Sequence, residues 1–176
     1  NDNSTKSGPV VQPLNLAGSK QGQTVGFADV DGDGIEDKIV GAPYASSPLG
    51  TGAVLVYAGT ASGYSSTASF LLQGGDNMGF SFVNLGDADG DGKTDFAVGA
   101  IHGSGDNAGD TSLSGSVTIY KGGGRGEIIK KIGGDGPMDK FGYALASGDV
   151  NGDGRPDLVV GAPFNTNDPS LYQSGA

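Results

Sequence analysis

The sequence predicts an all-β fold, and three observations carry that reading. Gly fills 35 of the 176 positions, with Ser, Thr, Asn and Asp crowded around it, which is a composition of turns. Short apolar runs rich in β-branched residues, such as Ala53-Val54-Leu55-Val56-Tyr57, recur between those turns, and none has the length of a helix. The whole pattern then repeats three times, about sixty residues apart. The apolar runs separate this chain from a disordered tract, which has too few such residues to offset the entropy of ordering.

Each repeat is anchored by an acidic nine-residue loop. The first is Asp29-Val30-Asp31-Gly32-Asp33-Gly34-Ile35-Glu36-Asp37, running into Lys38-Ile39-Val40-Gly41-Ala42-Pro43. The second is Asp87-Ala88-Asp89-Gly90-Asp91-Gly92-Lys93-Thr94-Asp95, running into Phe96-Ala97-Val98-Gly99-Ala100. The third is Asp149-Val150-Asn151-Gly152-Asp153-Gly154-Arg155-Pro156-Asp157, running into Leu158-Val159-Val160-Gly161-Ala162-Pro163. Their first aspartates are 58 and 62 residues apart (87 − 29 and 149 − 87). The flanks repeat too: Gly52–Tyr57 answers to Gly115–Tyr120, and Ser69–Gly74 to Glu127–Gly133. Each repeat therefore reads as four short strands divided by Gly, Asn and Asp turns, the pattern of a four-stranded antiparallel propeller blade.

The phase of the repeat places residues 1–13 as an N-terminal segment and 14–176 as blades. Leu14-Asn15-Leu16 takes the place of an outer strand, and Ser174-Gly175-Ala176 stops where the third strand of the last blade is expected. About three blades fall short of a closed propeller, which needs about four or more, and an open set exposes strand edges. The expectation is an incomplete propeller, finished by more chain or by other copies of itself, with the fragment reading favoured over self-assembly by strand exchange.

Charge narrows the function. The formal net charge is −10, from 20 Asp plus Glu against 10 Lys plus Arg, a field that repels phosphate backbones and argues against a nucleic-acid partner. There is no Cys, so no disulfide framework. No apolar run approaches the roughly 20 residues of a membrane span, so no membrane insertion is expected. The polar start Asn1-Asp2-Asn3-Ser4-Thr5 fits a mature N-terminus, and Asn3-Ser4-Thr5 is a glycosylation acceptor pattern.

The acids are clustered where a cation would want them. Calcium takes six to eight oxygens from a flexible loop. Carboxylates at the first, third, fifth and ninth loop positions, with a backbone carbonyl from the seventh, supply them. The expected ligands are Asp29, Asp31, Asp33, Ile35 and Asp37; Asp87, Asp89, Asp91, Lys93 and Asp95; Asp149, Asn151, Asp153, Arg155 and Asp157. Glycines at the fourth and sixth positions permit the positive-φ turns that aim the side chains inward. Eleven of these ligand positions are Asp, and without a cation such crowding raises carboxylate pKa values. The third loop, with Asn151, is expected to bind more weakly. Magnesium prefers a stricter octahedron, and zinc asks for His or Cys, of which the chain has one His and no Cys.

These loops, followed by an apolar run and Gly-Ala-Pro, resemble the FG-GAP repeats of the integrin alpha-subunit N-terminal β-propeller. The resemblance spans roughly residues 14 to 176. Phe141-Gly142 keeps the FG element, while Gln21-Gly22 and Met78-Gly79 replace it, and Gly99-Ala100-Ile101 loses the Pro. The resemblance implies a propeller with calcium in hairpin loops on one face and ligands on the other. It points to an extracellular, secreted or cell-surface adhesion module with a protein partner or further copies of itself. The absence of Cys leans towards a microbial surface protein.

Rival readings attach to other residues. Tyr44 and Phe164, directly after Gly-Ala-Pro, could offer faces to a glycan, or else pack on neighbouring blades. His102 is the one candidate acid–base imidazole and reads as a solvated loop residue without a nucleophile partner, so this segment is not expected to be an enzyme, the alternative being the non-catalytic part of a secreted enzyme. Lys121-Gly122-Gly123-Gly124-Arg125-Gly126 reads as a hairpin turn rather than an RNA-binding tract.

Overall fold

A computed structural model describes residues 16–47, 50–103 and 113–165 of the chain. The described residues are all-β. The first repeat contributes β1 (Val25–Ala28), β2 (Asp37–Ser47), β3 (Gly50–Tyr57), β4 (Gly59–Thr60), β5 (Gly63–Tyr64) and β6 (Phe70–Gln73). The second contributes β7 (Met78–Gly86), β8 (Asp95–Ala100), β9 (Ser116–Tyr120) and β10 (Ile128–Gly133), and the third β11 (Ala144–Gly148) and β12 (Asp157–Gly161). Of the expected outer strand Leu14-Asn15-Leu16, only Leu16 is described, and it lies in no strand; Leu14-Asn15, Ser174–Ala176 and the segment 1–13 lie outside the described residues.

The four-strand expectation holds for both complete repeats. β1, β2, β3 and β6 form one antiparallel blade, and β7, β8, β9 and β10 the next. β11 and β12 pair antiparallel as the start of a third. Single parallel bridges stitch successive blades, Gly52 to Met78 and Gly115 to Phe141. An incomplete propeller is the architecture.

Strand alternation sends one set of side chains towards each neighbouring blade. Between the first two blades, Ile39, Val54, Val56, Phe70 and Leu72 meet Met78, Phe96, Val98, Ala100 and Tyr120. Phe96 is fully buried, with its ring 5.3 Å from Tyr120 and 5.8 Å from Phe82. Burial of that one side chain stabilises the seam by about 1.5–3 kcal/mol. Leu85, Ala97 and Val117 repeat the arrangement against Leu145, Leu158 and Val160 of the third blade.

The seams close on paired glycines. A Cβ on Gly41 would stand 2.1 Å from the carbonyl oxygen of Gly79, and one on Gly99 would stand 2.3 Å from that of Gly142. The first glycine of each of the first two Gly-Ala segments thus meets the glycine of the Phe-Gly slot one blade later, and backbone there approaches backbone. We expect Gly41→Ala to cost about 2 kcal/mol through overpacking, measured as a shift in denaturant midpoint at constant slope. A loss under about 0.5 kcal/mol, the range of neutral surface changes, would show that the seam yields freely.

One feature of the first blade departs from the four-strand reading. The connection from β3 to β6 holds the small hairpin β4–β5. Tyr64 on that hairpin stacks on Phe27 of β1, centroids 5.8 Å apart, and the Lys38 ammonium lies 4.4 Å from the Tyr57 ring.

Candidate metal loops

Each acidic loop joins the first two strands of its blade: 29–37 between β1 and β2, 87–95 between β7 and β8, 149–157 between β11 and β12. The nine residues fold alike three times because each acidic side chain accepts from amides of its own loop. Asp29 accepts from Gly32 (2.8 Å), Asp33 (3.1 Å) and Gly34 (2.8 Å). Asp87 accepts from Gly90, Asp91 and Gly92 at 2.7, 2.9 and 2.9 Å, and Asp149 from Gly152, Asp153 and Gly154 at 2.6, 3.1 and 2.8 Å. This turn needs positive φ at the two loop glycines, 78° and 89° for Gly32 and Gly34, and the other loops match it.

The middle of the loop continues the ladder. Asp31, Asp89 and Asn151 accept from the fifth-position amides at 3.3, 3.0 and 2.9 Å. Asp33, Asp91 and Asp153 accept from the amides of Ile35, Lys93 and Arg155 at 2.8, 2.9 and 2.8 Å.

The ninth residue ties the loop to the blade. Asp37 is buried and accepts from Val30 (2.9 Å), Asp31 (3.3 Å) and Gly59 (2.8 Å). Asp95, fully buried, accepts from Ala88 (2.9 Å), Asp89 (3.1 Å) and Gly122 (2.9 Å). Gly59 and Gly122 lie just beyond β3 and β9, so the third strand of each blade also holds the loop in shape. Asp157 accepts from Val150 at 3.0 Å and from the Asn151 side chain at 3.5 Å.

These bonds gather the first, third and ninth carboxylates. Asp29, Asp31 and Asp37 each bring an oxygen within 4.8 Å of the others, and so do Asp87, Asp89 and Asp95. The fifth-position carboxylates, Asp33 and Asp91, fall outside those trios. Burial raises the Asp31 pKa above its ordinary value, and repulsion from Asp37, Asp33 and Asp29 adds to it. In the third loop the opposite holds: the amide of Gly154, helped by those of Gly152 and Asp153, lowers the pKa of Asp149. Asn151 replaces a charge there and donates to Asp153 at 3.2 Å. Stabilisation from Asp149 is therefore present above pH 3.8 and fades as the pH falls towards its lowered pKa. Ionised Asp31 acts against folding above its raised pKa, and protonation relieves it. A trio of converging carboxylates is a hard, all-oxygen donor set, of the kind that fits calcium.

Nothing in the loop spacing pointed to Lys121. Its Nζ lies 2.6 Å from Asp89 Oδ2 and 3.0 Å from Asp91 Oδ2, and this contact holds the Asp91 pKa down. The Gly-rich stretch after it is the expected turn between β9 and β10, with Gly123 donating to the Val30 carbonyl of the first loop at 2.8 Å.

The rival residues are engaged within the fold. The Lys20 ammonium lies 4.7 Å from the Tyr44 ring and that of Lys140 5.0 Å from Phe164, so a lysine covers each proposed sugar platform. His102 is half-buried rather than solvated. Its Nδ1 pairs with the side chain of Asn77, whose amide donates to the Pro43 carbonyl at 2.9 Å. That chain ties two blades together.

Among known proteins, the FG-GAP repeat family model matches residues 21–57 and 141–176. The chain belongs to the FG-GAP repeat family. Its FG-GAP repeats are 36% identical to Integrin alpha-4 of Xenopus laevis, covering 82% of this chain and 14% of that protein. They are 32% identical to Integrin alpha-PS2 of Drosophila melanogaster, covering 92% of this chain and 13% of that protein. Phosphatidylinositol-glycan-specific phospholipase D of Bos taurus is 32% identical, with 86% of this chain and 19% of that protein covered. The chain thus spans less than a fifth of these relatives. The middle FG-GAP repeat, with Met78 and Ile101, falls between the two matched stretches yet forms a whole blade. Its seams depend on Gly79 and Gly99, which it keeps.

Proposed function

We propose that this chain is a calcium-stabilised propeller segment of an extracellular or cell-surface adhesion protein, serving as a scaffold rather than an enzyme. The observation that carries the reading is the convergence of three carboxylates within 4.8 Å in each of two loops, around a ninth residue that is buried and amide-bonded. Calcium bound there supplies positive charge to carboxylates that otherwise repel one another. Asp29, Asp31 and Asp37, Asp87, Asp89 and Asp95, and by repetition Asp149, Asn151 and Asp157 hold it, with Asp33, Asp91 and Asp153 and the carbonyls of Ile35, Lys93 and Arg155 completing the shells. The integrin alpha relatives support the adhesion part, and a protein partner or further copies of the chain follow from it. Val25 and Phe27, 55% and 45% exposed on the first blade, suit a neighbouring blade.

Thermal unfolding in excess calcium and in chelator tests the reading. At free calcium a hundredfold above the dissociation constant, each site adds about 2.7 kcal/mol, or about 5–10 °C for a chain of this size. A melting temperature equal in the two conditions would sink it.

A further inference from the structure

The first two loops share one scaffold, and the turn that braces each of them carries a different residue. β3 and β9 end in Tyr57 and Tyr120. Two residues later, Gly59 and Gly122 donate to Asp37 and Asp95 at 2.8 and 2.9 Å. The residue between is Ala58 in the first repeat and Lys121 in the second. Lys121 places its ammonium 2.6 Å from Asp89 Oδ2 and 3.0 Å from Asp91 Oδ2, with side chains about a quarter exposed on both sides. Asp89 is one of the converging trio.

We propose that Lys121 is a built-in competitor for the second loop, an intramolecular cation that weakens calcium binding there and holds the loop in shape when calcium is scarce. The inference rests on the calcium reading of the loops. An ammonium on Asp89 and Asp91 must leave those oxygens before another cation can take them, and the affinity falls by the strength of that pairing. Local charge points the same way. Residues 29–37 carry five acids and no base, whereas 87–95 carry four acids and Lys93, to which Lys121 adds a second positive charge. The first loop is then the strongest site, and the second approaches the third, where Asn151 and Arg155 reduce the charge by other means.

The test is a calcium titration of the full chain by ¹H–¹⁵N NMR, following the amides of Gly34, Gly92 and Gly154. Each donates to the first aspartate of its own loop. In Lys121→Ala and Lys121→Met the Gly92 response should move to about three- to tenfold lower calcium, in proportion to two exposed ion pairs, while Gly34 keeps its midpoint. Ala58→Lys should weaken the first loop by a similar factor. In chelator, Lys121→Met should melt below the parent. An unchanged Gly92 midpoint in both Lys121 variants, with Gly34 still responding, overturns the competitor and leaves the calcium loops standing. No response at any of the three glycines overturns both.

Discussion

Replacing Asp95 by alanine will lower stability by about 3–5 kcal/mol, in chelator as well as in calcium. The side chain is fully buried and accepts from three amides, Ala88, Asp89 and Gly122. Alanine leaves those donors without their acceptor, and each buried one costs about 1–3 kcal/mol when water cannot replace the lost partner. The Gly122 amide is the most enclosed and dominates. Asparagine keeps one accepting oxygen and should recover part of the loss. The measurement is chemical denaturation in both conditions. A loss in chelator below about 1 kcal/mol, less than one orphaned buried donor, would mean that the carboxylate serves the cation alone.

Asp31→Asn should change sign with calcium. In chelator the substitution removes a charge that burial and the neighbouring carboxylates disfavour, so stability rises, by under about 1 kcal/mol for a partly exposed group. Asparagine can still accept from the Asp33 amide, as Asn151 does from Asp153 in the third loop. In calcium the same change weakens the site, as Asn151 is expected to do in the third loop, and the loss approaches but does not exceed the about 2.7 kcal/mol of one saturated site. The chelator advantage has a pH signature. Because the folded-state pKa of Asp31 is raised, the parent is penalised above that pKa, and the penalty disappears as the pH falls through it. Parent and variant should then converge in acid. Destabilisation in chelator at neutral pH would overturn the idea that these carboxylates are held in mutual repulsion.

The repeat, its blades and the loops were all legible in the sequence, because each is written in short-range chemistry. An aspartate that caps amides three to five residues on, and glycines that take positive φ between them, are local requirements that recur with the repeat. Alternating apolar runs did the same for the strands. The small hairpin β4–β5 had no such signal, since strands of two residues leave no alternation to read. The fifth-position aspartates matched the ligand spacing, but the three-carboxylate clusters in the described structure do not include Asp33 or Asp91.

By itself, then, the sequence determined an all-β repeat of about sixty residues with an acidic loop in each copy, since backbone propensity and local hydrogen bonding are encoded within a few residues. The tertiary structure decided which residues meet across blades and between distant loops of one blade. Gly41 faces Gly79 and Asn77 joins Pro43 to His102 across a seam, while Lys121 reaches Asp89 within the second blade from 32 residues away. Such contacts arise from sheet packing and strand pairing, and no spacing along the chain records them.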